Sequence, residues 1–198
     1  MENKPMQDKL AIVTGGVGGI GRAISTRLSR AAVSGFMGPV VDTPMQEVED
    51  VLKVNLTSIF HLSKLVLLKM IENGYGRIIN ISSVAPRVTP RNSATYNMSK
   101  AAVNALTKTL SREVASYGIT VNAIAPGLVM TERILKSRIP GMADKSGISP
   151  EEYLQRSTEG TDTHRLTRDE DVAELVTFLA SKASQNITGE IVNVAGGF

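Results

Sequence analysis

The chain has 198 residues, of which 42% are hydrophobic and 21% are charged, a balance that describes one globular domain and excludes a disordered or fibrous protein. Its net charge of +3 comes without a basic cluster, so nucleic-acid binding is not indicated even at a sequence pI of 9.2. With no cysteine and only two histidines, His61 and His164, we expect no disulfide, no thiolate chemistry and no metal site.

Glycine and proline punctuate the chain in a way that predicts alternating strands and helices. In chain order, the predicted elements are a strand at 9–14, a helix at 20–28, a helix capped by Thr43 with Pro44 at its first position that continues to 73–74, a strand at 77–82, a helix over 98–114 that ends at Gly118, a strand at 119–125, a helix at 169–180 and a strand at 190–194. This alternation predicts a mostly parallel α/β sheet that is covered on both faces. No uncharged stretch approaches the roughly 20 apolar residues of a membrane span, and residues 1–10 are too polar for a secretory signal, so we expect a cytoplasmic protein with no membrane partner.

A glycine-rich segment, Thr14-Gly15-Gly16-Val17-Gly18-Gly19-Ile20-Gly21, follows the first predicted strand and opens the first predicted helix. Glycines let the backbone approach a pyrophosphate closely, and the helix N-terminus offers unpaired N–H groups and positive dipole charge to the anion. The context indicates a dinucleotide site. The Gly-x-Gly-x-x-Gly match alone also fits a strand-to-helix turn that binds nothing.

Tyr96 and Lys100 lie four residues apart in a predicted helix, which places the phenol and the ammonium on one face. A nearby cation favours the phenolate, so such a pair can pass a proton to or from a carbonyl or alcohol oxygen near neutral pH. The same spacing is also common on solvated helix faces, so the pair alone does not decide the function.

Five motifs in order resemble the short-chain dehydrogenase/reductase family. They are Thr14-Gly15 through Gly19-Ile20-Gly21, Asn55, Asn80-Ile81-Ser82-Ser83, Tyr96 with Lys100, and Pro126-Gly127 followed by Thr131, and the resemblance extends to residues 189–197. It implies a Rossmann-type, doubly wound parallel sheet in a single domain over 1–198, with a substrate lid at about 128–158 that has few strong periodicities. It also implies a homodimer or homotetramer, with the helices around 55–70 and 96–116 in one interface and the C-terminal strand in another.

The resemblance implies a role for each matching residue. Tyr96 would be the catalytic acid/base, Lys100 would support its ionisation and hold the nicotinamide ribose, Ser83 rather than Ser82 would hydrogen-bond the substrate carbonyl, and Asn55 would hold the water that links Lys100 to a proton relay. The implied cofactor-binding residues are Thr14, Gly15, Gly19, Ile20, Gly21, Asn55, Tyr96, Lys100, Pro126, Gly127, Val129 and Thr131. Individually, Asn55 also fits a helix bridge, Ser83 a strand end and Pro126-Gly127 a turn.

One interval departs from the family pattern, because only 34 positions separate Gly21 from Asn55. A single βαβ unit takes roughly 30 residues or more, and the family pattern needs two further crossovers here. The residue that selects the ribose and the Asn-Asn-Ala-Gly turn of the family have no counterpart, so the choice between NAD and NADP is not readable. Asp42 has a spacing from Gly21 that suits a ribose-binding acid, but its surroundings favour a helix N-terminus. We place a junction near residues 30–33.

Two explanations fit this short interval: the chain lacks the block, or residues have been left out between its two ends. The strand that carries the missing turn would lie between the strands at 9–14 and 77–82. Its loss leaves apolar helix faces uncovered or makes those two strands pair directly.

The sequence therefore predicts a Rossmann-type α/β oxidoreductase that lacks part of the first half of its sheet. It would transfer a hydride between NAD(P)(H) and a small-molecule carbonyl or secondary alcohol, with Tyr96 as acid/base. The alternative is a catalytically impaired member of the family that acts as a dimerising or binding module. The residues do not identify the substrate.

Overall fold

In the part of the chain that the structure describes, four parallel strands form one sheet, in which they neighbour one another in chain order. The structure is a computed structural model that describes residues 11–14, 33–132 and 134–197. Its strands are β1 (Ala11–Thr14), β2 (Gly76–Ile81), β3 (Ile119–Pro126) and β4 (Ile191–Val194). The last three strands confirm the predicted ones to within one residue at each end, and β1 confirms the described part of the predicted strand at 9–14.

Seven α-helices lie in the described parts of the chain. They are α1 (Met45–Leu52), α2 (Ser58–Glu72), α3 (Ala85–Val88), α4 (Ala94–Val114), α5 (Ile139–Ser146), α6 (Pro150–Glu159) and α7 (Asp169–Ala180). A π-helical turn, Lys53–Thr57, joins α1 to α2 without a break, and a second one, Ile134–Arg138, precedes α5. Short 3₁₀ turns occupy Val40–Asp42, Ala115–Tyr117 and Lys182–Ser184.

Strand β1 pairs directly with β2. The register runs from Ala11 beside Arg77 to Thr14 beside Asn80. No strand lies between them, so the described structure has one of the two consequences expected of the short interval between Gly21 and Asn55. Because neighbouring strands are about 4.8 Å apart, the end of β1 lies one strand spacing from β2 instead of two.

An apolar layer covers each face of the sheet. Because successive side chains of a strand point to opposite faces, β2 contributes residues to both layers. Ile79 and Ile81 pack against α7 on one face, whereas Ile78 packs against α2 and α4 on the other. Every residue of β2 and β3 is buried, which explains why both strands are rich in β-branched residues. Burial of each isoleucine side chain contributes roughly 1.5–3 kcal/mol, so this sandwich holds the strand ends in place.

The segment at 128–158 is more regular than expected, because α5, α6 and the π-helical turn before α5 occupy most of it. The expectation of few periodicities was therefore wrong. Helix α6 has a local signal that could have been found: Ser149 caps it by accepting the Glu152 N–H at 3.1 Å, and Pro150 occupies its first position.

The predicted cap of α1 was also wrong. The Thr43 hydroxyl donates to the Pro39 carbonyl at 3.1 Å, in the preceding 3₁₀ turn, and the helix begins at Met45 after Pro44 without a side-chain cap. Asp42 closes that turn and is exposed. Gly118 ends the region after α4 in the left-handed conformation, with φ of 73°, as predicted.

The glycine-rich segment from Gly15 to Gly21, the predicted helix at 20–28 and residues 30–32 of the junction lie outside the described residues. Thr14, at the end of β1, and Val33 are the nearest described residues on either side.

The continuous helix Met45–Glu72 is long and apolar enough to cross a membrane by length and composition alone, and only 22% of its most apolar window is buried. Charged residues such as Lys53 and Lys64 interrupt this helix, so it contains no long uncharged stretch. The helix packs against β2 and α4, as a helix that covers a sheet does. Its outer face leaves Leu65 and Leu68 exposed by 75% and 72%.

Candidate active site

The carboxyl ends of β2 and β3 hold the segment that contains the candidate serine. Beyond the end of β2, the Ser82 N–H donates to the Ile124 carbonyl at 2.7 Å and the Val84 N–H donates to the Pro126 carbonyl at 3.1 Å. Ser83 is therefore fixed between two backbone bonds to β3, at the edge of a parallel sheet where ligands commonly bind.

Helix α4 presents Tyr96 and Lys100 to the same edge. Tyr96 lies in the first turn and is half-buried, and Lys100 follows one turn later with only 1% of its surface exposed. The Lys100 ammonium is 5.9 Å from the centroid of the Tyr96 ring, near enough for a cation–π contact. No described residue forms a hydrogen bond with the Tyr96 hydroxyl, so this group is available to a ligand.

The Lys100 ammonium donates to the Ile81 carbonyl at 2.8 Å, at the end of β2. Burial disfavours its charged form and lowers the pKa of Lys100 to about 8. An ammonium has three N–H donors, and the Ile81 carbonyl takes one of them. The remaining donors can serve oxygen atoms of a bound molecule.

The two serines after β2 differ in what their hydroxyls do. Ser82 is buried, and its hydroxyl donates to the carboxamide oxygen of Asn104 at 2.6 Å. Ser83 is half-buried, and its Oγ accepts the Ala85 N–H at 3.1 Å. The Ser83 hydroxyl proton donates to no described acceptor, so Ser83 is the one with a free donor.

Asn55 lies in the π-helical turn between α1 and α2 and is almost completely buried. Its carboxamide binds both backbone groups of Val33, accepting the N–H and donating to the carbonyl, each at 2.9 Å. The same Nδ2 donates to the Ser99 hydroxyl at 3.0 Å, and that hydroxyl donates to the Tyr96 carbonyl at 2.8 Å. Asn55 therefore connects Val33, at the end of the junction, to the first turn of α4. A π-helical turn at such a residue is frequent at functional sites.

The segment after β3 lies beside the end of β4. The Gly127 N–H donates to the Val194 carbonyl at 2.9 Å, and a Cβ at Gly127 would come within 3.0 Å of the Ala195 Cβ. Val129 is bridged to Thr167, while the Thr131 hydroxyl oxygen accepts the Ile134 N–H at 3.4 Å. The close approach of Ala195, the residue that follows β4, explains why a glycine stands at position 127.

These donors suit the nicotinamide half of a dinucleotide and a carbonyl substrate. The Tyr96 hydroxyl, the Ser83 hydroxyl and the remaining Lys100 donors all match ribose hydroxyls or a carbonyl oxygen. The glycines that would hold the pyrophosphate lie outside the described residues. Thr14 ends β1, one strand from Asn80.

The structure adds residues that the sequence did not single out. Ser99 links Asn55 to α4, and Asn104 binds Ser82. In a sequence, a polar residue that contacts a functional group looks the same as a polar residue on the solvent-exposed face of a helix. Of the two, only Ser99 could be suspected, because it is next to Lys100.

Comparisons with known proteins agree with this arrangement. A family model described as enoyl-(acyl carrier protein) reductase matches residues 16–198. A 3-oxoacyl-(acyl-carrier-protein) reductase of Haemophilus influenzae is 29% identical, in an alignment that includes 97% of this chain and 98% of the relative. The chain belongs to the short-chain dehydrogenase/reductase family. As a member of this family, it has a Rossmann-type fold.

Two further similarities extend the comparison with the short-chain dehydrogenases/reductases. A D-beta-hydroxybutyrate dehydrogenase of Rhizobium meliloti is 35% identical over 82% of this chain and 63% of its own length. The solved structure of an NAD⁺-bound xylitol dehydrogenase has a TM-score of 0.78 and 34% identity, over 85% of this chain and 66% of that one. The chain therefore spans less than two thirds of the length of both.

The alignment with the Haemophilus influenzae reductase covers 250 positions, whereas this chain has 198 residues. Because it reaches almost all of both proteins, part of the relative has no counterpart inside this chain. The direct pairing of β1 with β2 is consistent with such a difference in the first half of the sheet.

Proposed function

We propose that this short-chain dehydrogenase/reductase binds NAD or NADP and transfers a hydride between it and a small-molecule carbonyl or secondary alcohol. The observation that carries the proposal is the convergence of Ser83, Tyr96 and buried Lys100 at the carboxyl ends of β2 and β3. We place the protein in the cytoplasm, with residues 128–158 as the lid of the substrate site in a single domain.

The proposed chemistry divides between the coenzyme and the chain. The bound coenzyme supplies or accepts the hydride. Ser83 donates a hydrogen bond to the substrate oxygen, and Tyr96 gives that oxygen a proton in reduction or removes one in oxidation. Lys100 holds the nicotinamide ribose and favours negative charge on the Tyr96 oxygen.

The remaining site residues support this arrangement. Asn55 holds the first turn of α4 through Ser99 and would place the water of a proton relay. Pro126, Gly127, Val129 and Thr131 would contact the carboxamide of the nicotinamide. Thr14, with Gly15, Gly19, Ile20 and Gly21, would bind the pyrophosphate.

Coenzyme binding tests the proposal directly. Titration of the protein into NADH or NADPH is expected to change the fluorescence of the reduced nicotinamide, because the ring enters a site from which water is partly excluded. Panels of ketones and alcohols with both coenzymes then identify the substrate class. Unchanged fluorescence at millimolar concentrations of both coenzymes would contradict the proposal.

A second candidate function, a binding or dimerising module without turnover, is favoured by the pairing of β1 with β2. A ligand that spans from the end of β1 to Tyr96 has about 5 Å less room than in a sheet with one more strand between them. Coenzyme titration separates the two candidates, because the module is expected to leave the fluorescence of both coenzymes unchanged.

We also propose a homodimer or homotetramer in which α2 and α4 form one interface and β4 another. The outer face of α2 exposes Phe60, Leu65 and Leu68, by 50%, 75% and 72%, an apolar surface that a second copy would cover. Light scattering is expected to show an oligomer, and the double substitution Leu65→Glu with Leu68→Glu is expected to reduce it to a smaller species. Leu135→Glu, at an exposed apolar residue outside α2, serves as the control. A monomeric wild type, or an unchanged double variant, would refute this interface.

A further inference from the structure

Two separate parts of the fold carry the groups that must act on one substrate oxygen. Ser83 belongs to the chain that leaves β2, whereas Tyr96 belongs to α4. Backbone bonds from Ser82 and Val84 fix Ser83 relative to β3. These bonds do not involve α4, so the distance between the two hydroxyls depends on the contacts that join α4 to the end of β2.

Three side chains on one face of α4 make polar contacts with β2 and with Ser82, the residue that follows it. The contacts are Lys100 Nζ to the Ile81 carbonyl at 2.8 Å, Asn104 Oδ1 with the Ser82 hydroxyl at 2.6 Å, and Thr107 Oγ1 with Asn80 Nδ2 at 2.9 Å. The spacing 100, 104 and 107 follows the helical repeat. Of the three side chains, Asn104 is the one that contacts Ser82, the residue next to Ser83.

The Ser82–Asn104 bond has the geometry of a strong, directional contact. A separation of 2.6 Å is typical of an O–H···O bond and short for N–H···O, so the carboxamide oxygen of Asn104 faces the serine. Ser82 is only 3% exposed, so water does not compete for its hydroxyl. The other acceptor in reach, the Lys100 carbonyl, is 3.4 Å away and binds more weakly.

We propose that Asn104 is a positioning residue that fixes Ser82, and through it the Ser83 hydroxyl, relative to Tyr96. The inference rests on the proposed function, because it concerns the approach of two groups to one substrate oxygen. Without the Asn104 oxygen, the Ser82 hydroxyl turns to the Lys100 carbonyl and stays paired. The protein therefore folds, while Ser83 is held less accurately.

The test compares two substitutions of similar shape. Asn104→Leu removes the acceptor oxygen, whereas Asn104→Asp keeps one in the same place. Because small displacements of reacting groups cost large factors in rate, Asn104→Leu is expected to lower kcat roughly tenfold with little change in coenzyme affinity by fluorescence. Asn104→Asp is expected to restore kcat to within about threefold of the wild type. The midpoint temperature of thermal unfolding should fall by only a few degrees in both variants.

Two further variants separate positioning from general loosening. Thr107→Val breaks the contact with Asn80, one turn farther from the site, and is expected to leave kcat within about twofold. In a Ser83→Ala background, Asn104→Leu should have almost no additional effect, because the group that it positions is gone.

The inference is overturned if Asn104→Leu keeps the kcat of the wild type, or if the kcat of Asn104→Asp is no higher than that of Asn104→Leu. It is also overturned if Thr107→Val lowers kcat as much as Asn104→Leu does. The fourth contradicting result is a loss of kcat from Asn104→Leu that is as large in the Ser83→Ala background as in the wild type. These outcomes require an active wild type and leave the proposed function standing. A wild type that turns over no substrate with either coenzyme overturns the proposed function and this inference together.

Discussion

Tyr96→Phe is expected to lower turnover by roughly 10³-fold or more while coenzyme binding changes by less than about twofold. The substitution removes one oxygen atom, the only group of Tyr96 that can transfer a proton. No described residue bonds to that hydroxyl, so its removal leaves no buried partner unsatisfied. The ring, and its contact with the Lys100 ammonium, remain. The free energy of unfolding should change by less than about 0.5 kcal/mol.

Tyr117→Phe is the matched control for this experiment. Tyr117 is 47% exposed and lies between α4 and the start of β3, at the edge of the sheet opposite to the candidate site. The same loss of one hydroxyl there is expected to leave turnover unchanged. If Tyr96→Phe keeps more than about a tenth of the wild-type kcat, the acid/base role of Tyr96 is wrong. A parallel loss of coenzyme binding would assign Tyr96 to binding instead.

Much of the sheet and α4 could be predicted because their sequences follow local rules. The buried strands β2 and β3 are rich in β-branched residues, β2 begins at Gly76 and β3 ends at Pro126, and α4 has apolar residues at helical spacing before Gly118. The glycine-rich segment and the Tyr96–Lys100 pair are also local patterns, and their order along the chain with the other three motifs carries the family resemblance.

The structure reveals what depends on packing between distant segments. The sequence places Lys100 beside Tyr96, but its burial follows from the way α4 sits on the end of β2. The family resemblance favours Ser83 over Ser82, whereas the physical distinction is that the Ser82 hydroxyl already donates to Asn104. Partners separated by more than 20 residues, such as Asn55 and Val33, leave no periodic signal.

Lys100→Met is expected to stabilise the protein at neutral pH, because Lys100 is a buried cation. In the folded state its pKa is lowered from 10.5 to about 8 by desolvation. Below pH 8 both the folded and unfolded states carry the charge, and the folded state bears the full cost of burying it. Between pH 8 and 10.5 the unfolded state binds more protons, so the stability of the wild type rises with pH.

The size of the expected stability difference follows from the pKa shift of Lys100. A difference of this size corresponds to roughly 3 kcal/mol, and loss of the bond to the Ile81 carbonyl offsets about 1 kcal/mol of it. At pH 7 the variant should therefore be more stable by about 2 kcal/mol. By about pH 10.5 the advantage should disappear or reverse by about 1 kcal/mol.

Urea unfolding of both proteins at pH 7, 9 and 10.5 measures this difference, and taking the difference cancels the titration of groups that the two proteins share. Lys108→Met, at an exposed position two turns farther along α4, makes the same chemical change without burial and serves as the matched control. A wild type that is more stable than Lys100→Met at pH 7, or a difference that is constant with pH, would show that burial does not destabilise the ammonium. Greater stability of Lys100→Met at pH 7 would mean that burial of the Lys100 cation opposes folding, as expected of a residue that serves the proposed reaction and not the stability of the fold.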